Sequence, residues 1–402
     1  MIKLSFLGDI LCDEKMAKDI DLYRINGCLN YDSVFFPISE TLKNSDYTLA
    51  NLETPISYSN NDLTNKQYCF FSPFAFAEAV RHMGVNYVST ANNHCMDQGM
   101  DGIRSTIEAL DKINLDHSGT YTKADDLHYV IKEIQGVRFA ILSYTYGTNA
   151  FSNRNYLSKK ELRLIDMIQE QEEWIDQVSL IKKISKAYPR SIISKADRWL
   201  TRKRYPDNVG KMVYEKETVS SLRKHWIRQT IKELKKEKVD FIIVYLHVGG
   251  QYNTEPSALT KKTVDFFKKI GCNIVIANHE HVVHGHTLDM KKPFFATYAI
   301  GNFLSSNGTV FKPHDRYCEY SILLHTYIDE FSKQIQKISF SISKVILNNE
   351  QKFEVWDSFD LLKKENSKQL SLEILQVAKI FSGIEYLRPE PEYFLYDSVP
   401  KN

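Results

Sequence analysis

The feature that most constrains this chain is a repeated ending, in which short apolar runs stop one after another at residues able to bind metal. Residues 2–7 lead to Gly8-Asp9, residues 47–52 to Glu53, and residues 87–90 to Ala91-Asn92-Asn93-His94. Much later, residues 241–246 stop at His247 and residues 273–277 at Asn278-His279. Residues 137–144 and 294–300 read as further strands, the second ending at Gly301-Asn302. Helical apolar spacing at 74–83, 103–113 and 259–270 falls between them. Strands alternating with helices predict an α/β fold, a largely parallel sheet covered by helices. The carboxyl ends of parallel strands share one edge, where ligands bind. Asp9, Glu53, Asn93, His94, His247 and His279 are therefore expected to converge, although they lie far apart in sequence.

The rhythm breaks in the middle. Residues 158–173 and 217–238 read as exposed, charged helices. Between 181 and 205, nine Lys or Arg stand against the single acid Asp197, with Trp199 and Leu200 among them. Pro189 and Pro206 break any single long helix there. The plain reading is a solvated helical insertion. The other is a patch that touches an anionic membrane surface or polymer. Past the insertion, 320–327 and 338–347 read as strands forming antiparallel edges, and 371–381 as a helix. The expected organisation is a main domain over 1–330, carrying a basic helical insertion at about 158–238. A strand and helix extension over 331–402 packs on it.

Composition excludes little. A chain of 402 residues, 43% hydrophobic and 25% charged, can bury one large core or two smaller ones. A net charge of +2 gives no overall field for or against a polyanion, and no nucleic-acid partner is expected. An Asp at position 9 interrupts any signal-peptide core, and no apolar run reaches the ~18–20 residues of a membrane span. The six cysteines are scattered with no CxxC pairing, which suits reduced thiols and a cytoplasmic location. No Walker-type glycine loop and no G-x-S-x-G is present.

The sharpest local signal is His279-Glu280-His281, because side chains two apart in extended backbone point to the same side. His247, at the end of a strand, strengthens the metal reading over two satisfied core histidines. His284 and His286 extend the cluster as supporting or loop residues. Gly8 leaves room for a metal or phosphate near the backbone before Asp9, although a Gly-Asp is more often a turn. Glu53 taken alone fits a helix cap or an ion pair equally well. The Asn93 carboxamide is a good ligand for a hard or borderline cation, and His94 beside it can stay unligated as a general acid. The ordinary alternative is an Asn-rich turn into the helix at 103, capped by Asp101.

Taken in order, these residues resemble the bacterial capsule synthesis (poly-γ-glutamate, CapA-type) family, a branch of the calcineurin-like metallophosphoesterases. The motifs are Gly8-Asp9, Asn51-Leu52-Glu53, Ala91-Asn92-Asn93-His94-x-x-Asp97-x-Gly99, His247, His279-x-His281-Val282 and Gly301-Asn302-Phe303. Tyr144-Thr145-Tyr146-Gly147-Thr148-Asn149 is also typical, and the likeness covers about 1–305 apart from the insertion. It implies a four-layer αββα sandwich. By position, Asp9, Glu53, Asn93, His247, His279 and His281 resemble metal ligands, with Glu53 as the bridging carboxylate. His94 resembles the acid or transition-state-stabilising histidine, and Asn92, Asp97 and Asn302 would support the site or substrate.

Such mixed ligands suit one or two divalent ions of Mn, Fe or Zn type. The implied function is a metal-dependent hydrolase, of phosphoesterase chemistry, in capsule or cell-surface polymer synthesis. Its partner would be an anionic or phosphorylated small molecule or the polymer itself. The alternative is a metal-binding scaffold in a polymer-synthesis complex. Departures fall at Leu11, a trait of the CapA-type branch within the superfamily, and at 247–252 and 280, where the chain differs from its nearer relatives. Leu11 stands where the broader superfamily has a His. His247-Val248-Gly249-Gly250-Gln251-Tyr252 replaces a common His-Trp-Gly-x-Glu, and Glu280 replaces a Pro.

Overall fold

The computed structural model describes residues 1–57, 69–171, 219–306 and 316–398, so the basic segment 181–205 lies outside the described residues. Two sheets stack face to face. Seven strands of the larger run in the order Phe353–Asp357, Gln334–Leu347, Tyr320–Asp329, Ile2–Ile10, Tyr47–Leu52, Tyr87–Ser89, Asp116–Ser118. Asn302–Leu304 adds to the first strand of the chain and Tyr393–Asp397 to Gln334–Leu347. The smaller sheet runs His286–Asp289, Phe294–Thr297, Ile274–Asn278, Phe241–His247, Val137–Thr145, Val130–Ile134.

Alternation along the strands builds the layers. Ile2, Leu4, Phe6 and Leu49 from the larger sheet meet Ile141, Ile243, Tyr245 and Ile276 from the smaller in one shared core. The other parity of the larger sheet, with Ala50, Val88 and Leu323, meets Val34, Phe35, Phe76 and Val80. These four lie on the helices Asp32–Lys43 and Phe74–His82. Ala140, Leu142, Val244 and Leu246 on the smaller sheet meet Ile227 and Ile231 of Ser221–Lys236 and Val264 and Phe267 of Ala258–Ile270. Each such buried side chain stabilises the fold by roughly 1.5–3 kcal/mol. The result is the expected αββα sandwich.

Within each sheet the central strands are parallel. Ile2–Ile10, Tyr47–Leu52, Tyr87–Ser89 and Asp116–Ser118 form one set. Val137–Thr145, Phe241–His247, Ile274–Asn278 and Phe294–Thr297 form the other. The Tyr245 hydroxyl donates to the Leu49 carbonyl at 2.7 Å across the interface, and the Ser89 and Ser143 hydroxyls meet there too. Asp9, Glu53, Asn93, His247 and His279 thus leave their strands at one rim.

Several elements differ from expectation. Tyr320–Asp329 is antiparallel but interior, paired on both sides. The described part of 158–173 is not an exposed helix. It forms turns, with Ile165 bridged to Thr120 and Met167 to Thr145. Ile165, Met167 and Ile168 are buried there, and tertiary packing overrides the charged pattern. Asp32–Lys43 escapes a sequence reading because Pro37 sits inside it, although Val34, Phe35, Ile38 and Leu42 form its buried face. Beyond 331, Gln334–Leu347 joins the larger sheet, and Ile374, Val377 and Phe381 of the helix Lys368–Ser382 enter the core between the sheets. Among the described residues no helix is long and apolar enough to cross a membrane.

Candidate metal centre

The rim gathers ligand atoms of two overlapping groups. Glu53, His247 and His279 form one, and Asp9, Glu53 and His281 the other, with the atoms of each group within 4.8 Å of one another. Glu53 belongs to both, the place of a bridging carboxylate. His247 Nε2 lies 2.7 Å from Asn93 Oδ1 and 3.3 Å from Glu53 Oε1, so Asn93 adjoins the first group. His247 Nδ1 is 3.8 Å from Asp9 Oδ1, and His281 Nδ1 is 3.9 Å from Asp9 Oδ2. All six residues are buried. The six sequence-derived ligand candidates therefore come together.

Neighbours hold these side chains in place. Asn51 donates from Nδ2 to Asp9 Oδ1 at 2.7 Å, and the same nitrogen is 3.3 Å from His247 Nδ1. Asn302, which lies beside Asp9 in register, faces His281 Nδ1 through its Oδ1 at 2.8 Å. This is the arrangement by which an outer partner orients a metal-binding histidine. Asn92 donates to the Leu52 carbonyl at 2.8 Å and accepts from the His94 backbone N–H at 3.1 Å, pinning the loop to the strand before Glu53. His94 Nδ1 meets Asp97 Oδ2 at 2.7 Å, which leaves Nε2 for chemistry. Asp97 is fixed in turn by the Phe70 N–H at 2.8 Å.

Two local expectations need correction. His279 and His281 do not share a face of extended backbone, since the strand ends at Asn278 and their φ values are 119° and 57°. Such angles are rare for bulky residues and cost of order 1–3 kcal/mol each, a strain that collects at functional sites. Gly8 does not clear space for a ligand. A Cβ there would lie 2.0 Å from the Gly301 carbonyl oxygen, so the glycine admits the 301–302 backbone that delivers Asn302. Gly249, with φ of 127°, likewise makes room for Glu280, whose Oε1 would be 2.2 Å from an added Cβ. The two departures at 249–252 and 280 therefore interlock.

The electrostatics are those of a site short of positive charge. Burial, then the Glu53 charge, pushes Asp9 up to about 7, and burial also raises Glu53. Burial lowers His247 to about 4 and holds His279 well below the usual imidazole range, with His247 and His281 adding to the effect. His94 goes the other way. Burial opposes its charged form, but Asp97, with Glu53 and Asp9 behind it, outweighs burial and raises its pKa. Asp9 Oδ2, both Glu53 oxygens and both His279 nitrogens are buried without a hydrogen-bond partner. Buried polar groups are rarely left so. Convergent acids and neutral imidazoles with open lone pairs fit a divalent cation.

Sequence reasoning missed part of this site. Asn51 lies two residues before Glu53, and its place on that strand was the available signal. Tyr146 and Tyr252, ring centroids 4.9 Å and 5.6 Å from His279 and His281, wall the rim. Phe70 stacks on His94 at 4.2 Å and Asn153 reaches Asp97 at 3.4 Å, and neither carries a local signal. His284 and His286 face away to the carbonyls of Asn253 and Phe381, at 2.8 Å and 2.9 Å.

The stacked α/β sheets, together with a family match, place the chain in the metallophosphoesterase-like superfamily. Within it, the chain belongs to the bacterial capsule synthesis protein family PGA_cap, whose profile matches residues 3–307. It is 25% identical over 315 residues to the capsule biosynthesis protein CapA of Bacillus anthracis, covering 76% of this chain and 60% of that one. To the PGA biosynthesis protein CapA of Bacillus subtilis (strain 168) it is 21% identical over 311 residues, 77% and 64% of the two chains. The matches thus span under two thirds of those relatives. Among solved structures, the sulfate thiohydrolase SoxB of Thermus thermophilus aligns over 94% of this chain and 59% of its own, at 8% identity and a TM-score of 0.38. A hypothetical protein from the same organism aligns over 89% of this chain and 99% of its own, at 11% identity and a TM-score of 0.38. These are distant likenesses, and the assignment rests on the family match.

Proposed function

We propose that this chain is a divalent-metal-dependent hydrolase of phosphoesterase type, acting in the synthesis of a capsule or related cell-surface polymer. Glu53 carries the reading, because its two unpartnered oxygens serve both ligand groups at once. Asp9, Glu53, Asn93, His247, His279 and His281 would hold one or two ions of Mn, Fe or Zn type. A bound cation would supply Lewis acidity and lower the pKa of a coordinated water. The chain's own part is to place and discharge a proton. His94, whose protonated form Asp97 favours, is placed to donate from Nε2 to a leaving oxygen or to oppose charge growing on it. Phe70 holds the His94 ring in plane, while Tyr146 and Tyr252 narrow access for water.

The substrate in this reading is a phosphorylated or otherwise anionic small molecule, or the polymer. The polymer context is supported by the names of the two Bacillus relatives. A cytoplasmic location is supported by six cysteines scattered without CxxC spacing, five of them buried. Contact with an anionic membrane surface would fall to the basic segment 181–205. A second reading, a metal-binding scaffold without turnover, is favoured by Leu11, a buried apolar side chain where the superfamily supplies a His.

The deciding experiment is elemental analysis of protein purified without chelator, followed by assay on phosphomonoesters and diesters with added Mn. Turnover lost in His94→Ala with metal content unchanged supports the hydrolase. Metal retained with no turnover in either protein supports the scaffold.

A further inference from the structure

A second cluster of buried polar groups lies on the outer face of the smaller sheet, and the metal chemistry does not use it. There residues 162–167 run beside the helix Ser221–Lys236. The cavity between them is lined by His128, Arg163, Asp166, Arg223, Trp226 and Thr230, with apolar neighbours. Arg223 is 2% exposed. Its Nη1 donates to the Leu162 carbonyl at 3.0 Å, but its Nε and Nη2 have no hydrogen-bond partner. Those two N–H groups form one edge of the guanidinium, the fork that fits two oxygens of a single carboxylate or phosphate.

Two acids, Glu170 and Asp166, act on Arg223 through space, but neither bonds its Nε–Nη2 edge. Asp166 accepts from the Tyr121 hydroxyl at 2.8 Å through one oxygen and contacts His128 Nδ1 at 2.8 Å through the other. Glu170 accepts from the Ser220 hydroxyl at 2.7 Å. Among the described residues no ion pair joins a carboxylate to Arg163 or Arg223. Both guanidinium groups instead lie over the Trp226 ring, Arg163 at 5.1 Å and Arg223 at 4.8 Å. His128 Nε2 is a further buried group without a partner. Two cations on one aromatic wall, with buried donors left over, form a recess lacking its anion.

We propose that this cavity is an oxyanion site, which takes a carboxylate or phosphate group of a ligand between Arg163 and the Nε–Nη2 edge of Arg223. His128 Nε2 is its third contact. In the closed arrangement those nitrogens are sealed. Arg163, which is exposed, is the side chain that swings off Trp226 to admit the ligand. The cavity shares no lining residue with the six ligand candidates, and the proposal does not depend on the hydrolase reading.

The test is calorimetric titration of the full chain, as purified, with inorganic phosphate and separately with succinate, at fixed ionic strength. Arg163→Gln, Arg223→Lys and Glu53→Gln are titrated alongside. The expected result is saturable binding that survives Glu53→Gln and weakens on the order of tenfold in Arg163→Gln and Arg223→Lys. Saturation by phosphate alone identifies a phosphoryl ligand, and by succinate alone a carboxylate. Arg163 is exposed, so its variant carries the test even if Arg223→Lys fails to fold. No saturable heat from either anion at millimolar concentration overturns the proposal. So does binding unchanged in Arg163→Gln, or binding lost in Glu53→Gln, which would place the anion at the metal rim.

Discussion

Buried histidines occur in two regions of this protein, and their treatment differs. In the antiparallel wing, His325 lies between two hydroxyls, Ser5 Oγ at 2.8 Å from Nδ1 and Ser341 Oγ at 3.2 Å from Nε2. Nearby, Lys344 pairs with Glu373 at 2.8 Å. At the carboxyl rim, His279 has neither nitrogen bonded, and Glu53 has neither oxygen bonded. Both regions are equally dry, so burial does not distinguish them. The difference is whether the fold supplies partners to the ionisable groups: His325, Lys344 and Glu373 find theirs within the chain, while His279 and Glu53 at the rim do not.

The strongest way to break this comparison is to exchange one group in each region. Glu53→Gln keeps the shape but removes the charge common to both ligand groups. Phosphoesterase turnover should fall by about 10²–10³-fold, the size for losing a charge-placing group, and metal content should fall with it. His325→Gln should leave turnover within about threefold and instead lower the melting temperature, by a cost of about 1–3 kcal/mol for disturbed buried hydrogen bonds. Equal activity losses in the two variants would erase the distinction.

A second test inverts the usual expectation for core substitutions. A carboxylate buried without partners destabilises the metal-free protein, so an apolar replacement of similar size should relieve it. Glu53→Met is expected to raise the stability of chelator-treated protein by about 1–3 kcal/mol. It should also abolish the rise in melting temperature that added Mn gives the parent, which at a hundredfold excess over Kd is ~2.7 kcal/mol. Denaturant melts with and without Mn measure both. Destabilisation of the chelated protein by Glu53→Met would mean that Glu53 is structurally satisfied after all.

The pH dependence follows from the same rim. Asp9, raised to about 7 from an ordinary 3.8, stabilises the metal-free fold fully below 3.8, and that contribution is lost as pH rises through 7. His247, depressed to about 4 from 6.5, contributes stability present above 6.5 and lost as pH falls through 4. Near pH 7 Asp9 and the raised His94 act in the same direction, so chelated protein should gain stability as pH falls through 7, a gain that His247 and His279 oppose below 6.5. A cation competes with the Asp9 proton, so stabilisation by Mn should grow from about pH 6 to about pH 8. Asp9→Asn should flatten both trends in thermal melts across that range.

How far the rim was legible in sequence depends on what kind of information fixes each residue. Asp9, Glu53, Asn93 and His247 were legible because a strand's end is written in its own apolar run and parallel order brings those ends together. His279 and His281 reach the rim by a route the alternation argument did not give, since their backbone is left-handed, with φ of 119° and 57°, and follows no strand period. Phe70 and Asn153 were not legible, because each reaches the His94–Asp97 pair from a loop of unrelated sequence. The turn at 158–171 hid behind its charges, and Asp32–Lys43 behind Pro37. Legibility fails where long-range packing overrides local pattern.

The smallest expected effect lies in the wing and sharpens the comparison from its other side. Asp357 caps the helix Ser358–Glu365, accepting from the N–H groups of Phe359 at 2.9 Å and Asp360 at 3.2 Å. A capping carboxylate normally gains from its charge, yet here burial wins and pushes the group up to about 6, with Asp360 adding repulsion. Its stabilising share is therefore full below 3.8 and fades as pH rises through 6. Asn keeps the acceptor oxygen and cannot ionise. Asp357→Asn should match the parent near about pH 4 and exceed it by about 1–2 kcal/mol at about pH 8, somewhat under the ~1.4 kcal/mol per unit that the full shift would give. The gain should be the same with Mn or with chelator, because the helix stands apart from the rim. A gain that depended on metal would join the two regions into one cooperative unit and remove the ground for treating the wing as self-sufficient.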